Sequence, residues 1–281
     1  MSEKAGSGSN LKSAKIISFD GWLQSPPGRY LLQWEQERCD ELVADIFGYH
    51  ALQLGLPQLQ GLRANRMQQR WLAVNAPLPE LPEEAARAAL WADAVQLPFG
   101  PASLDLVLMP HTLELSVSPH AALREAARVL VPEGRLVICG VNPWSLWGLR
   151  QRRMQWYARL GARGPLFIPQ AEEFFSPWRL RDWLRLLDLE MESVSLGCFG
   201  PASRNALWLD RMGWMDRVGP HGWPVLGAGY VLVAVKRVLG MRLLEPAWRN
   251  RRAARGAALP VARREPAETV RMGTKQWSKR V

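Results

Sequence analysis

Cysteine is scarce in this chain. Cys39, Cys139 and Cys198 lie far apart, with no Cys-x-x-Cys spacing, which excludes a disulfide framework and a zinc knuckle. The four histidines are scattered as well, so no dedicated metal site is expected. No apolar run reaches the ~18 residues that span a bilayer. The longest, Val225 to Val235, reads by length and valine content as a buried strand. The segment from Met1 to Asn10 lacks the apolar core of a secretory signal. A soluble, cytoplasmic protein in a reducing compartment is the expectation. Gly-x-Ser-x-Gly, P-loop and His-Glu-x-x-His motifs are missing, as is a paired-carboxylate arrangement. These absences speak against the hydrolase and nucleotidase classes such motifs serve.

What is present is ordinary globular material: 48% hydrophobic and 22% charged residues in 281, enough to bury a full core without staples. The net charge of +10 is unevenly placed. Residues 241–281 hold 11 basic and 3 acidic side chains, a net +8, leaving 25 against 23 in residues 1–240. That segment has few large apolar residues and no sustained period, the composition of a poorly ordered tail. It suits contact with nucleic acid or an anionic membrane surface, or a solvated tail that aids solubility. The expected organisation is an N-terminal extension over 1–27, a folded body over 28–240 and the basic tail over 241–281.

Within the body, helix and strand signals alternate. Leu31, Trp34, Leu42 and Ile46 share one face of a helix over Gly28–Phe47. Strands are expected at His50–Gly55, Arg70–Asn75, Ala88–Asp93, Leu104–Met109 and Arg135–Gly140. A Gln/Leu-rich helical stretch is expected between the first two, and Pro77, Pro79 and Pro82 break the chain after the second. Ser118-Pro119 and Ser176-Pro177 each supply a cap followed by a proline, the opening of a helix. Two more strands close the body at Leu189–Leu196 and Gly229–Lys236, around a polar, Trp-containing insert from Pro201 to Pro224. Such alternation implies an α/β fold with a mostly parallel sheet covered on both faces. The last pair of strands lacks an obvious crossover helix and can close the sheet antiparallel. Ligands of such sheets bind at the carboxyl ends of the strands, here the turns after Gly55, Asn75, Asp93, Met109 and Gly140.

One stretch carries a resemblance. It runs Trp91-Ala-Asp93-Ala94-Val-Gln-Leu97-Pro98-Phe99, then Asp105-Leu-Val, then Leu113-Glu114, then a helix that ends in Pro132-Glu-Gly134. In this order and spacing it resembles the class I S-adenosylmethionine-dependent methyltransferases, in their small-molecule (type 11) branch. The resemblance implies a Rossmann-like sheet of seven strands with the last antiparallel, and S-adenosylmethionine as cofactor. It places Asp93 and Ala94 beside the adenine, the carboxylate accepting from the exocyclic amine and the alanine offering its backbone amide. A turn aspartate after a strand is the plainer alternative for Asp93. Asp105 and Glu114 are expected to be structural, and Leu97-Pro98-Phe99 to pack beneath the cofactor loop. The family's first turn, Asp/Glu-x-Gly-x-Gly, aligns with Gln53-Leu-Gly55-Leu-Pro57. A neutral amide stands there for the acid and one glycine survives. At the end of the second strand Asn75 replaces the acid that grips the ribose hydroxyls. Met109, closing the fourth strand, completes the expected cofactor set of Gln53, Gly55, Asn75, Asp93, Ala94 and Met109.

For chemistry, His111 just past the fourth strand is the candidate general base, or else a cap of the following turn. Asn142, Trp144 and Trp147, after the fifth strand, are candidates to orient and stack on a small methyl acceptor. Arg150, Arg152, Arg153 and Arg159 interleave with Trp156 and Tyr157 in a basic, aromatic-rich helix candidate. It fits a membrane surface or an acidic partner, or simply a covering helix. The expectation is a methyltransferase for a small aromatic or lipophilic molecule. Its rival is a non-catalytic binding or regulatory scaffold with a degenerate cofactor turn.

Overall fold

A computed structural model describes residues 19–75, 89–160, 166–169 and 173–237. All of them fall within one compact unit, residues 1–238. The tail over 241–281, residues 1–18 and the Pro77, Pro79 and Pro82 break lie outside the described residues.

Seven strands form one sheet: β1 (His50–Leu54), β2 (Gln69–Val74), β3 (Ala89–Trp91), β4 (Leu104–Pro110), β5 (Leu130–Val141), β6 (Leu189–Gly197) and β7 (Gly229–Lys236). Their order is β3-β2-β1-β4-β5-β7-β6. The first five pair in parallel, and β7 runs antiparallel between β5 and β6. This is the expected α/β fold: a seven-stranded, mostly parallel sheet closed by an antiparallel strand.

Period-two alternation sorts the strand residues into two cores. Ala51, Leu106, Leu108, Val137, Cys139, Val231 and Val233 face one layer. Leu52, Leu54, Val107, Met109, Leu136, Ile138, Leu232 and Ala234 face the other. Against the first layer pack α1 (Phe19–Leu23) and α2 (Pro26–Ala44), through Phe19, Trp22, Leu23, Leu31, Cys39 and Val43. Against the second pack α4 (Pro119–Val129), which follows the short α3 (Thr112–Leu115), and α6 (Pro177–Arg185). Each large side chain so buried is worth about 1.5–3 kcal/mol against exposure, which is why both faces must be covered. Ser176 caps α6 as its sequence suggests, accepting from the Arg179 amide at 3.3 Å.

Three expectations need correction. Residues 19–27, read as part of an extension, pack into the body: Phe19, Trp22 and Leu23 are buried core residues. The helical stretch expected between Gly55 and Arg70 is a series of turns. Pro57 denies that stretch a backbone donor, and the Gln53 side chain captures the carbonyls of Gly55, Leu56 and Leu59. The apolar run from Val225 is not one strand: Val225 and Leu226 are exposed in a 3-10 turn, and β7 begins at Gly229. The insert expected from Pro201 to Pro224 holds two short helices, α7 (Ala206–Arg211) and α8 (Trp214–Gly222). It is tied to α2 through Tyr30, whose hydroxyl donates to the Asp216 carboxylate at 2.5 Å.

Candidate functional site

The sheet order reverses between β1 and β4, and the carboxyl ends there open the crevice where such sheets bind ligands. A cavity of about 710 Å3 occupies that place, within the range of small-molecule and cofactor sites. Its lining comes from successive strand ends: Leu54 to Pro57 after β1, Ala73 to Asn75 at β2, Ala92 to Val95 after β3, Pro110 and Thr112 at β4. Phe19 and Asp20 of α1 close one side, and Leu115 to Ser118 with Ala121 another. Four of the expected cofactor residues therefore meet in one cavity: Gly55, Asn75, Asp93 and Ala94.

The lining has a definite electrostatic character. Among the described residues, Asp20 and Asp93 are the ionisable side chains in it, and no Lys, Arg or His contributes. Such a surface attracts a cation and repels free phosphate. Local folding presents these groups. Asp93 closes its own turn, Oδ1 accepting from the Val95 amide at 3.1 Å. The loop beyond it is latched: the Leu97 amide donates to Glu125 at 2.8 Å, and Arg128 donates to the Phe99 carbonyl at 2.9 Å. Leu97 is buried beneath, and Phe99 packs on Trp71. Asp105 is structural in the same way, Oδ2 accepting from the amides of Tyr49 and His50 ahead of β1. Gly55 sits at φ +74°, and a Cβ there would meet no protein atom within 4 Å, so its backbone lies open to the cavity.

The other expected site residues are elsewhere. Gln53 is buried, with Nε2 donating to the Gly55, Leu56 and Leu59 carbonyls and Oε1 accepting from the Gly61 amide. It rebuilds the turn in place of the missing glycines. Met109 points into the second core layer, and Pro110 takes its place at the cavity. Asn142 is buried, its side chain donating to the Val225 and Gly227 carbonyls. Trp147 is a core residue whose indole N–H donates to the Gly200 carbonyl. Trp144 is exposed, beside the Arg152 guanidinium and away from the cavity. The basic, aromatic-rich segment is α5 (Leu146–Arg159). Its Arg152, Arg153 and Arg159 are exposed, and Arg150 leans over Phe167. It covers the first core layer through Trp147 and Met154.

His111 is the clearest correction. Its ring is 0% exposed, with Nδ1 2.7 Å from Glu114 Oε2 and Nε2 2.9 Å from Glu35 Oε1. The Glu35 approach is close in distance but poor in angle, an ion pair more than a hydrogen bond. Burial alone would depress the imidazole, but the two flanking carboxylates outweigh it and push the ring up to about 10. An imidazolium with both nitrogens engaged has no lone pair for a substrate proton. The cluster instead fastens α2 to the β4 and β5 ends, since Glu114 Oε1 also accepts from the Val141 amide at 2.6 Å. Glu35 was missed in the sequence, although a charge in the Leu31, Cys39, Val43 stripe of α2 was the available signal. His111-x-x-Glu114 was the other.

Among the described residues, no group of three or more His, Cys, Asp or Glu side chains is placed to hold a metal ion. No described helix is long and apolar enough to cross a membrane. A methyltransferase-domain family model matches residues 72–138, from β2 to within β5. The sheet aligns with a chain from the complex of the Haloferax volcanii methyltransferase activator Trm112 with a methyltransferase. The TM-score is 0.54 and identity 19%, over 80% of this chain and 99% of that one. The fold is that of the class I methyltransferases. A Thermotoga maritima S-adenosylmethionine-dependent methyltransferase superposes with a TM-score of 0.52 at 18% identity, over 74% of this chain and 92% of that one. In sequence the chain is 29% identical over 229 residues to YafS of Escherichia coli K12, covering 81% of this chain and 85% of that uncharacterised protein. The cavity fits the cofactor of this methyltransferase fold in sign and size: its ionisable groups are carboxylates, and S-adenosylmethionine carries a net positive charge.

Proposed function

We propose that this protein is an S-adenosylmethionine-dependent methyltransferase acting on a small aromatic or lipophilic molecule. The observation that carries the reading is the acid-lined cavity at the carboxyl ends of β1 to β4, which gathers Gly55, Asn75, Asp93 and Ala94. When bound, the cofactor supplies a methyl group on a positively charged sulfur. Asp93 accepts from the adenine amine through its carboxylate, and Ala94 offers its backbone amide. Asn75 gives neutral hydrogen bonds to the ribose hydroxyls. Gly55 lets the chain approach closely.

The acceptor reading rests on the remaining wall. Phe19, Leu115 and Val117 are apolar, Val117 being fully exposed at the cavity edge, and they suit a lipophilic molecule. With His111 locked between carboxylates, no neutral basic nitrogen lines the cavity among the described residues. Catalysis then comes from positioning acceptor and methyl group in line, which favours acceptors already nucleophilic at neutral pH.

Calorimetric titration with S-adenosylmethionine and with S-adenosylhomocysteine tests the proposal. Dissociation constants in the micromolar range are expected. A second reading, the non-catalytic scaffold, draws on Gln53, which spends its whole amide inside the turn. Absence of binding up to millimolar ligand, by a protein shown to be folded, would establish that reading instead.

A further inference from the structure

The resemblance calls for a carboxylate at the β1 turn to hold the cofactor's ammonium group, and Gln53 stands at that position. Its side chain is buried and fully committed to the backbone of residues 55–61. Asp93 cannot take over. It lies past the end of β3, two strands from β1 in the order β3-β2-β1, hence roughly 10 Å away at the usual strand spacing.

The other ionisable group in the lining is Asp20. It comes from α1, an element the sequence motif does not include. Phe19, Trp22 and Leu23 bury one side of this short helix in the core. Phe19 packs on the His111 ring at 5.1 Å, and Trp22 meets Trp147 and Phe167 edge-on. Asp20 is left exposed on the side that walls the cavity. Its Oδ1 accepts from Gln58 Nε2 at 3.2 Å, which ties the carboxylate to the β1 turn. Among the described residues, no other hydrogen bond reaches this carboxylate and no cation lines the cavity to neutralise it.

Taken with the proposed function, on which it rests, the geometry points to Asp20 as the residue that holds the α-ammonium of the cofactor. The charge missing from the β1 turn is supplied from the N-terminal helix. A charge-assisted hydrogen bond is restored that Gln53 cannot make.

The test uses three ligands on the full chain. S-adenosylmethionine and S-adenosylhomocysteine both carry the ammonium, whereas 5′-methylthioadenosine keeps the adenosine and sulfur without it. Asp20→Asn is expected to weaken the first two by roughly 10- to 100-fold and to leave 5′-methylthioadenosine affinity unchanged. Asp93→Asn is expected to weaken all three, and Asp20→Glu to recover part of the loss. Equal affinities of wild type and Asp20→Asn for S-adenosylhomocysteine would overturn the assignment while the proposed function stands. An equal loss for 5′-methylthioadenosine would also overturn it, showing that Asp20 shapes the cavity instead of pairing with the ammonium. Failure of the wild type to bind any of the three would remove both the assignment and the reading beneath it.

Discussion

A carboxylate that closes its own turn has one oxygen left for a ligand. Asp93 is in that position, with Oδ1 occupied by the Val95 amide. Because the side chain is exposed, its removal should cost the fold about 1 kcal/mol or less. Asp93→Ala is therefore expected to lower cofactor affinity at least tenfold while the apo melting temperature barely moves, as calorimetry and thermal melts would show. A large apo destabilisation would make Asp93 a structural residue. His111 gives the opposite profile, large for the fold and indirect for the ligand. The folded state holds its proton more tightly than the unfolded chain, with the ring up to about 10 against about 6.5 unfolded. The stabilisation is complete below the unfolded value and is lost as pH rises through the folded one. Glu114, raised by burial against the pull of His111 and the Val141 amide, acts in the same sense from a lower pH. Unfolding free energy in urea should thus fall between about pH 6.5 and 10. Glu35→Gln should flatten that fall, and a profile already flat in the wild type would mean a neutral imidazole.

At the scale of elements, the β1 turn decides how the cavity opens. Gly55 and Leu56 both have positive φ, +74° and +47°, and only the glycine adopts it freely. Gly55→Ala should cost the fold about 1–2 kcal/mol for a left-handed alanine. The new methyl meets no protein atom, so it intrudes on the ligand's space, and cofactor affinity should fall about tenfold or more. Unaltered affinity in a destabilised variant would place the ligand away from this turn. The strands themselves were legible because burial on both faces demands near-continuous apolar runs; β7 matches the expected Gly229–Lys236, although the apolar run around it starts at Val225. β5 is longer than its pattern because Leu130 already pairs with Leu104, before the Pro132-Glu-Gly134 step. The turns after β1 were not legible. Their cause is one glutamine reaching three carbonyls, a contact that leaves no period in the sequence. Asp93 and Ala94 could be placed from a motif adjacent to a strand end. Asp20 could not, since it reaches the cavity from a helix remote from the motif in sequence, and Glu35 stood out only as a charge in the apolar stripe of α2, with nothing to pair it with His111.

For the whole molecule, the charge is unevenly divided along the chain. The seven strands and both core layers seen among the described residues lie within residues 19–237, and the residues beyond 238 carry +8 of the +10 net charge. Nothing described in the cavity, the His111 cluster or either core layer draws on a residue past Arg237. Marginal domains lose cooperativity when a strand or a core face is removed, and a cut after Val238 removes none of those described. The 1–238 chain is therefore expected to unfold in one transition, with a midpoint within a few degrees of the full chain. Its affinity for S-adenosylhomocysteine should match as well. Its charge of 25 basic against 23 acidic side chains lies near neutrality, so its solubility should drop at low salt. A clear loss of ligand affinity on truncation, with the melting transition intact, would mean that residues 239–281 reach the cavity and contribute to binding.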